Sequence, residues 1–164
     1  MQPIETERLT IRNFVDGDWQ DLQEVIINYQ ASESAKYEDP WPTSEEDIKG
    51  IVSWFANGDE FLAVNLKSEN KVIGFVAINR RTDREEHSHN LGYVFNPEYG
   101  GMGYATESCQ ACMRYVFDVL QAVSIVTGTH PDNEPSVKLL KKLKLQEIGN
   151  GEWTITRAEW LALQ

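Results

Sequence analysis

Three glycines within residues 100–103 limit the possible folds of this chain most strongly. They separate an apolar run at 91–95, typical of a buried strand, from an amphipathic run that begins at Tyr104. Glycine lets the backbone turn sharply and leaves neighbouring N–H groups uncovered. Because those amides would lie at the positive end of a helix, the segment predicts a strand–loop–helix unit that binds an anion such as a pyrophosphate. The alternative is a glycine-rich turn that only reverses the chain.

Two common phosphate-binding loops do not fit this segment. A P-loop requires lysine followed by serine or threonine after its last glycine, whereas Gly103 is followed by Tyr104 and Ala105. A Rossmann fingerprint would open a repeating strand–helix chain near the N-terminus. Here the loop lies past the middle of the chain, with one strand–helix–strand unit after it. A generic nucleotide-binding domain is therefore disfavoured.

Size and composition indicate a globular protein of one ordinary domain. The chain has 164 residues, of which 41% are hydrophobic and 25% are charged. No run is apolar and long enough to span a bilayer, and the first residues lack the features of a signal peptide, so a cytoplasmic protein without a membrane partner is expected. The formal net charge of −11 disfavours nucleic acid as a partner and favours a cationic one.

The two cysteines form a lone Cys-x-x-Cys motif at Cys109 and Cys112. A structural zinc site would need further ligands at a suitable spacing, and the chain has no second pair. Both cysteines fall on the apolar stripe of the helix after the glycine loop. We therefore predict buried thiols and no metal.

Periodicity predicts alternating strands and helices along the chain. Residues 7–12 alternate as in a half-buried strand, and Asp18 is a candidate N-cap for a helix from Trp19 to about Asn28. The later segments predict a helix capped by Ser44, a hairpin of strands 61–66 and 72–79, a helix from Tyr104 to about Leu120, a strand at 123–129, a helix after Asn133 and a closing hairpin at 145–156. The crossover through the glycine loop predicts parallel, right-handed strands.

Two motifs resemble the coenzyme A motifs of the GNAT N-acetyltransferases. The first is Gly101-x-Gly103-Tyr-Ala-Thr-Glu, preceded by Leu-Gly-Tyr-Val-Phe-Asn-Pro-Glu-Tyr. It is most similar to the branch that contains the ribosomal-protein N-terminal acetyltransferases (RimJ/RimL-like). The second is Asn133-x-x-Ser136, followed by Leu-Leu-Lys-Lys-Leu. The resemblance extends over residues 5–161.

The resemblance implies an α/β (α+β) fold of the GNAT acyl-CoA N-acyltransferase type, in one domain over residues 1–164. It implies a mixed sheet of about six or seven strands flanked by helices. Acetyl-CoA would be the co-substrate, and the amine acceptor, a protein N-terminus or a small molecule, would attack the thioester directly. Homodimers are common in the family, although Trp153 and Trp160 could instead cover the domain's own core.

The resemblance also implies which residues contact the cofactor. The loop amides would hold the pyrophosphate, Asn133 the pantetheine, and a strand N–H between Tyr93 and Phe95 would polarise the thioester carbonyl. Asn133 is also a natural N-cap, which would explain it without a cofactor. The expected cofactor-binding residues are Tyr93, Val94, Phe95, Gly100, Gly101, Met102, Gly103, Tyr104, Ala105, Thr106, Asn133 and Ser136.

The catalytic candidates are Ser136 and His89. Ser136 is the expected general acid, because Leu140 stands where many family members carry a tyrosine. His89, or its neighbour His87, could accept the proton of the amine, because an imidazole titrates near neutrality. The alternative is that both histidines are solvated residues of a surface loop with no catalytic role. Many relatives carry glutamate at Asn90, and asparagine cannot act as a base. These two replacements motivate a second hypothesis, a CoA-binding sensor or interaction module that has lost catalysis.

The acceptor site is expected between the first helix and the second. Tyr37 and Trp41 could form aromatic walls, and Glu33, Glu38 and Asp39 could attract a cationic amine. The alternative is that both aromatic residues cover the core. The closing hairpin is shorter than in most relatives, which is expected to open the acceptor pocket or to restrict the substrate.

Overall fold

Nine strands and five α-helices alternate along residues 1–164 in the computed structural model. The strands are β1 Ile4–Glu5, β2 Leu9–Asn13, β3 Phe61–Leu66, β4 Lys71–Ala77, β5 Ser88–His89, β6 Gly92–Phe95, β7 Ser124–Gly128, β8 Gln146–Gly149 and β9 Glu152–Thr156. The helices are α1 Trp19–Gln30, α2 Glu45–Ala56, α3 Tyr104–Arg114, α4 Glu134–Lys142 and α5 Arg157–Ala162. A π-helical turn, Tyr115–Val119, extends α3, and a 3₁₀ helix, Glu33–Tyr37, follows α1.

The strands form two sheets, whereas the sequence predicted one mixed sheet. The first sheet has the order β1-β2-β3-β4-β6, and the second has the order β5-β7-β9-β8. All neighbours are antiparallel except β5 and β7, which are parallel. The predicted mixed α/β fold is confirmed. Seven of the nine strands have four or more residues, so the predicted number holds only for the longer strands.

The division into two sheets occurs within the chain segment 88–95. Its first part, β5, pairs with β7 at His89 and Ile125, and its second part, β6, pairs with β4 at Gly92 and Ala77. The Thr127 hydroxyl of β7 donates to the carbonyl of Leu91, which lies between β5 and β6, at 2.8 Å. Beyond that contact β6 and β7 belong to different sheets, which leaves a cleft between them.

The hydrophobic residues form two clusters. The larger cluster has 24 buried residues, which come from both sheets and from α3, α4 and α5. The smaller cluster has 11 buried residues, and it lies between the first sheet and the helices α1 and α2. Trp153 and Trp160 belong to the larger cluster and are 5% and 6% exposed, so they cover the domain's own core.

The cysteines are buried in the larger cluster, as the sequence predicted. Cys109 and Cys112 are free thiols with no exposed surface. Burial raises the pKa of Cys112 to about 12 and also raises the pKa of Cys109. Both thiols are therefore protonated at neutral pH and act as small apolar side chains.

No helix combines the length and the apolar character needed to cross a membrane.

The two predicted N-caps differ in outcome. Ser44 caps α2, because its side chain accepts a hydrogen bond from the Asp47 N–H at 3.2 Å. Asp18 makes no capping bond to α1, so this prediction is wrong. Its carboxylate instead accepts hydrogen bonds from Arg12 at 2.8 and 3.0 Å and from the Val15 N–H at 2.9 Å. Asp18 therefore pairs with Arg12 of β2 and does not cap α1.

Candidate active site

A cavity of about 650 Å³ occupies the cleft between β6 and β7. The glycine loop and the first turn of α3 line one end, and the segment 29–38 lines the other. The first turns of α4 and the residues after β7 form the wall between these ends. The cavity thus connects the predicted anion site with the predicted acceptor site.

The glycine loop presents free backbone donors to this cavity. Gly101 and Gly103 have φ angles of 75° and 83°, a left-handed conformation that favours glycine. Gly103 precedes α3 and no side chain caps that helix. The N–H groups of residues 103–106 accordingly make no hydrogen bond within the protein. Together with the helix dipole, these four donors provide a site for a phosphate group.

Arg8, on the chain just before β2, holds the glycine loop from outside the cavity. Its guanidinium donates to the Met102 carbonyl at 2.8 Å and lies 4.4 Å from the ring centre of Tyr104. It also donates to the Glu107 carboxylate at 2.8 Å. Met102, which the resemblance placed among the cofactor-binding residues, is exposed and does not line the cavity. The sequence offered no signal for this contact between the segment that precedes β2 and the glycine loop.

Strand β6 contributes two further backbone donors. The N–H groups of Asn90 and Asn96 both donate toward the β4 side at 2.8 Å. Because these directions alternate along a strand, the N–H groups of Tyr93 and Phe95 face the cleft. Val94 faces the opposite way, since its N–H points toward β4 and its side chain is buried in the smaller cluster. The structure therefore brings Tyr93 and Phe95, but not Val94, to the cavity.

Asn133 lines the cavity and does not cap α4. Its backbone has φ −81° and ψ 78°, and its side chain makes no hydrogen bond to the helix. The Oδ1 atom is buried and has no hydrogen-bond partner. An unpaired buried oxygen is costly, and an N–H group of a bound ligand would satisfy it. The capping explanation of Asn133 is thus not realised, and the residues present fit an amide-bearing cofactor arm.

Tyr93 and Ser136 meet in the wall of the cavity. The Tyr93 hydroxyl lies 2.6 Å from Ser136 Oγ, and either atom can be the donor. Burial raises the pKa of Tyr93, so its hydroxyl is protonated at neutral pH. Leu140, by contrast, is buried in the core. Sequence reasoning placed Tyr93 at the cofactor but missed its hydroxyl, because the two partners are 43 positions apart.

His89 does not reach the cavity. It lies in β5 and is 6% exposed. Its Nδ1 atom is 2.7 Å from the Ile78 carbonyl, and its Nε2 atom is 3.1 Å from His87 Nε2. Burial and the neighbouring Arg80 lower the pKa of His87. The sequence-based expectation of a catalytic His89 is therefore not supported, because strand pairing places this imidazole behind the cleft.

The third histidine lies at the acceptor end instead. The rings of His130 and Tyr37 stack with centroids 4.7 Å apart, and both residues line the cavity. The Tyr37 hydroxyl donates to the Asp132 carbonyl at 3.1 Å. His130 Nδ1 accepts the Asp132 N–H at 3.1 Å, which places the proton of the neutral imidazole on Nε2.

The two expected acceptor aromatics have different places. Tyr37 lines the cavity, whereas Trp41 packs edge-on against Phe55 and Phe75 in the smaller cluster. The role of Trp41 in the structure is therefore to cover the core. Glu38 and Tyr29 also line the cavity, and burial together with the adjacent Glu38 carboxylate raises the pKa of Tyr29.

Two lysines on α4 complete the lining, and sequence reasoning did not single them out. Lys138 and Lys142 are one helical turn apart, so both side chains can face the same side of the cavity. Their charges suit phosphate groups. The cavity is thus cationic along α4 and carries Glu38 at its acceptor end.

The acetyltransferase (GNAT) domain model matches residues 8–146, so the chain belongs to the GNAT acetyltransferase family. Together with the fold, this match defines the class: the protein is an acetyl-CoA-dependent acyltransferase. It is 34% identical over 148 residues to the uncharacterised N-acetyltransferase YnaD of Bacillus subtilis, covering 89% of this chain and 84% of that protein.

Solved structures share the fold. An acetyltransferase of the GNAT family from Bacillus anthracis superposes with a TM-score of 0.84 at 28% identity, over 96% of this chain and 100% of that one. The ribosomal-protein-S5-alanine acetyltransferase from Vibrio fischeri superposes with a TM-score of 0.82 at 20% identity, over 98% of this chain and 99% of that one. The second likeness concerns the fold alone.

Proposed function

We propose that the protein transfers the acetyl group of acetyl-CoA to a primary amine that arrives as a cation, and that it does so in the cytoplasm. The observation that carries this proposal is the single cavity that joins the free loop amides to Tyr37 and Glu38. A cofactor bound at one end and an amine bound at the other would meet beside β6. The amine would then attack the thioester directly.

The cofactor would lie along the glycine loop and α4. The four N–H groups of residues 103–106 would bind the pyrophosphate, and Lys138 and Lys142, which line the same cavity, would add positive charge. Asn133 Oδ1 would accept a hydrogen bond from an amide of the pantetheine arm. This arrangement would direct the thioester toward the middle of the cavity, where β6 and β7 diverge.

The residues beside the thioester would stabilise the transition state. The cleft-facing N–H groups of Tyr93 and Phe95 would donate to the thioester oxygen as negative charge develops on it. Binding both substrates in one cavity also replaces a bimolecular encounter with an oriented attack. Acetyl-CoA supplies the activated acyl group, and the protein supplies position and hydrogen bonds.

The acceptor would enter past Tyr37 and Glu38. The Glu38 carboxylate can pair with an ammonium group, and the net charge of −11 favours the approach of a cation. A protein N-terminal α-amine, as in the RimJ/RimL-like branch, and a small-molecule amine both meet this requirement. The sensor hypothesis rests on Leu140 and Asn90, neither of which can carry a proton for catalysis.

Calorimetric titration of acetyl-CoA tests the cofactor site. Gly103→Glu would place a charged side chain on a left-handed residue beside the free amides, and we expect it to abolish binding. Gly17→Glu is the matched control, since a side chain there meets open space. Binding that persists in a folded Gly103→Glu variant would contradict the proposed pyrophosphate site.

Thiol release from acetyl-CoA tests the reaction. The panel should contain peptides with free N-termini, polyamines and amino acids, with N-acetylated peptides as controls. Turnover with at least one amine is expected, and the preferred member identifies the acceptor class. Tight CoA binding without turnover on any amine would favour the sensor instead.

A further inference from the structure

We propose that Tyr93 is the catalytic acid that protonates the sulfur of coenzyme A, with Ser136 as the residue that orients its hydroxyl. This inference rests on the proposed acetyl transfer and adds a residue to it. The sequence suggested Ser136 as the acid and gave Tyr93 only a contact with the cofactor. The structure instead joins the two hydroxyls into one pair.

The hydroxyl pair has one proton to spare. The two oxygens are 2.6 Å apart, so one of the two protons lies between them. The second proton remains available to a third atom in the cavity, which both residues line. Ser136 is in the first turn of α4, three residues after Asn133, whose unpaired Oδ1 is suited to the pantetheine arm. The thiol end of that arm would therefore reach the hydroxyl pair.

Tyr93 is the better proton source of the two. A phenol is far more acidic than the aliphatic hydroxyl of serine, so Ser136 alone would be a poor acid. Burial raises the pKa of Tyr93, so the phenol carries its proton at neutral pH. Hydrogen bonding in a site of low dielectric strengthens such a donor.

Two other tyrosines that line the cavity have hydroxyls committed elsewhere. The Tyr99 hydroxyl donates to Glu69 at 3.0 Å, and the Tyr37 hydroxyl donates to the Asp132 carbonyl at 3.1 Å. Neither acceptor can supply a replacement proton. Tyr93 differs because its partner is another hydroxyl, which can both donate and accept.

The step is balanced without any further reactant. The amine nitrogen forms a bond to the acetyl carbon, and the carbon–sulfur bond breaks with its electron pair on sulfur. Tyr93 gives its proton to the sulfur as that charge develops. The ammonium group loses one proton to water to become the attacking amine, and the nitrogen loses a second proton to water once its bond to the acetyl carbon has formed. The phenolate regains a proton from water after the product leaves.

The first test measures the thiol of bound CoA and requires no acceptor. The rate at which iodoacetamide alkylates CoA, saturated with protein, is followed against pH for the wild type and for Tyr93→Phe. A hydroxyl that donates to the sulfur stabilises the thiolate, so loss of the hydroxyl should raise the pKa of the bound thiol by about one unit. At a pH well below the thiol pKa, where CoA binds as the neutral thiol, the dissociation constant of CoA should remain unchanged.

The second test separates catalysis from binding. With an amine that turns over, Tyr93→Phe should lower kcat by about 10²-fold without raising KM for acetyl-CoA. Ser136→Ala should lower kcat less, because the phenol remains. Tyr115→Phe is the matched control, since Tyr115 packs against the core and does not line the cavity.

Three results would overturn the proposal. An unchanged thiol pKa in Tyr93→Phe would show that the hydroxyl does not reach the sulfur. A wild-type kcat in Tyr93→Phe beside an inactive Ser136→Ala would make Ser136 the acid. No binding of CoA by the wild type would remove the proposed function and this inference together, whereas the first two results leave the acetyl transfer intact.

Discussion

Arg8 and Glu107 are 99 residues apart in the sequence and form an ion pair at 2.8 Å beside the glycine loop. The Glu107 carboxylate also accepts the Thr6 hydroxyl at 2.6 Å and the Arg8 N–H at 3.0 Å. The other end of the guanidinium holds the Met102 carbonyl. The segment between β1 and β2 thus fixes both the glycine loop and the first turn of α3.

Removing the guanidinium should weaken cofactor binding. Arg8→Ala frees the Met102 carbonyl and lets the loop amides reorient, so we expect the dissociation constant of acetyl-CoA to rise about tenfold. Arg114→Ala is the control, because Arg114 is an exposed arginine at the end of α3. Titration calorimetry measures both, and equal affinities of the two variants would argue against a role for Arg8 in ordering the loop.

The same ion pair predicts an acid dependence of stability. Burial opposes ionisation of Glu107, but the hydrogen bonds from Thr6 and Arg8 outweigh it and hold its pKa below the usual value. The unfolded chain therefore binds this proton at a higher pH than the folded one. Its contribution to the free energy of unfolding is complete above the unfolded pKa and is lost as pH falls through the folded pKa.

Glu107→Gln should accordingly be less sensitive to acid than the wild type. Urea unfolding at neutral pH and at about pH 4 measures the difference, because the usual pKa of glutamate lies between them. Glu147→Gln, in an exposed position of β8, is the control and should lose as much stability between the two pH values as the wild type. An equal loss in Glu107→Gln would mean that Glu107 does not contribute to the acid dependence of stability.

Asn133→Ala should separate ligand binding from helix capping. Because the Asn133 side chain makes no capping bond, we expect little change in the melting temperature and about a five-fold weaker affinity for acetyl-CoA. Ser44→Ala is the complementary variant. It removes a real cap and should cost about 1 kcal/mol of stability without affecting the cofactor. A large loss of stability in Asn133→Ala would favour the structural explanation of this residue.

Glu38→Gln should impair the acceptor and leave the cofactor alone. Loss of the carboxylate at the acceptor end should raise KM for a cationic amine, more at low salt than at high salt, because salt screens exposed charges. Asp39→Asn removes a neighbouring carboxylate that does not line the cavity, and it provides the control. Steady-state kinetics at two ionic strengths checks the prediction. Equal KM values in the two variants would refute it.

His89→Ala should destabilise the protein without changing its pH–rate profile. The substitution leaves the Ile78 carbonyl without its buried partner, which should cost about 1–3 kcal/mol in urea unfolding. The pKa values in the profile of kcat/KM should match those of the wild type, because this imidazole is outside the cavity. Loss of a limb of the profile would restore His89 as the base.

Sequence periodicity could not decide the positions of the aromatic residues Tyr37 and Trp41. The pattern around Trp41 contains no period, so the sequence allowed both a pocket wall and a core cover. Its position against Phe55 and Phe75 depends on where α2 packs on the first sheet. The sequence allowed the same two positions for Tyr37, and its stacking on His130 places it in the cavity. The choice was made by contacts between segments distant in sequence.

The sequence by itself determined the strand–loop–helix unit and the second motif, because their signals are local. Left-handed glycines and apolar periodicity act through neighbouring residues, and so Gly101, Gly103 and α3 appear where they were predicted. Only the tertiary structure decided that Tyr93 meets Ser136 and that His89 is buried behind the cleft. Those contacts follow from the passage of one strand segment between two sheets, and no local pattern encodes the geometry of that packing.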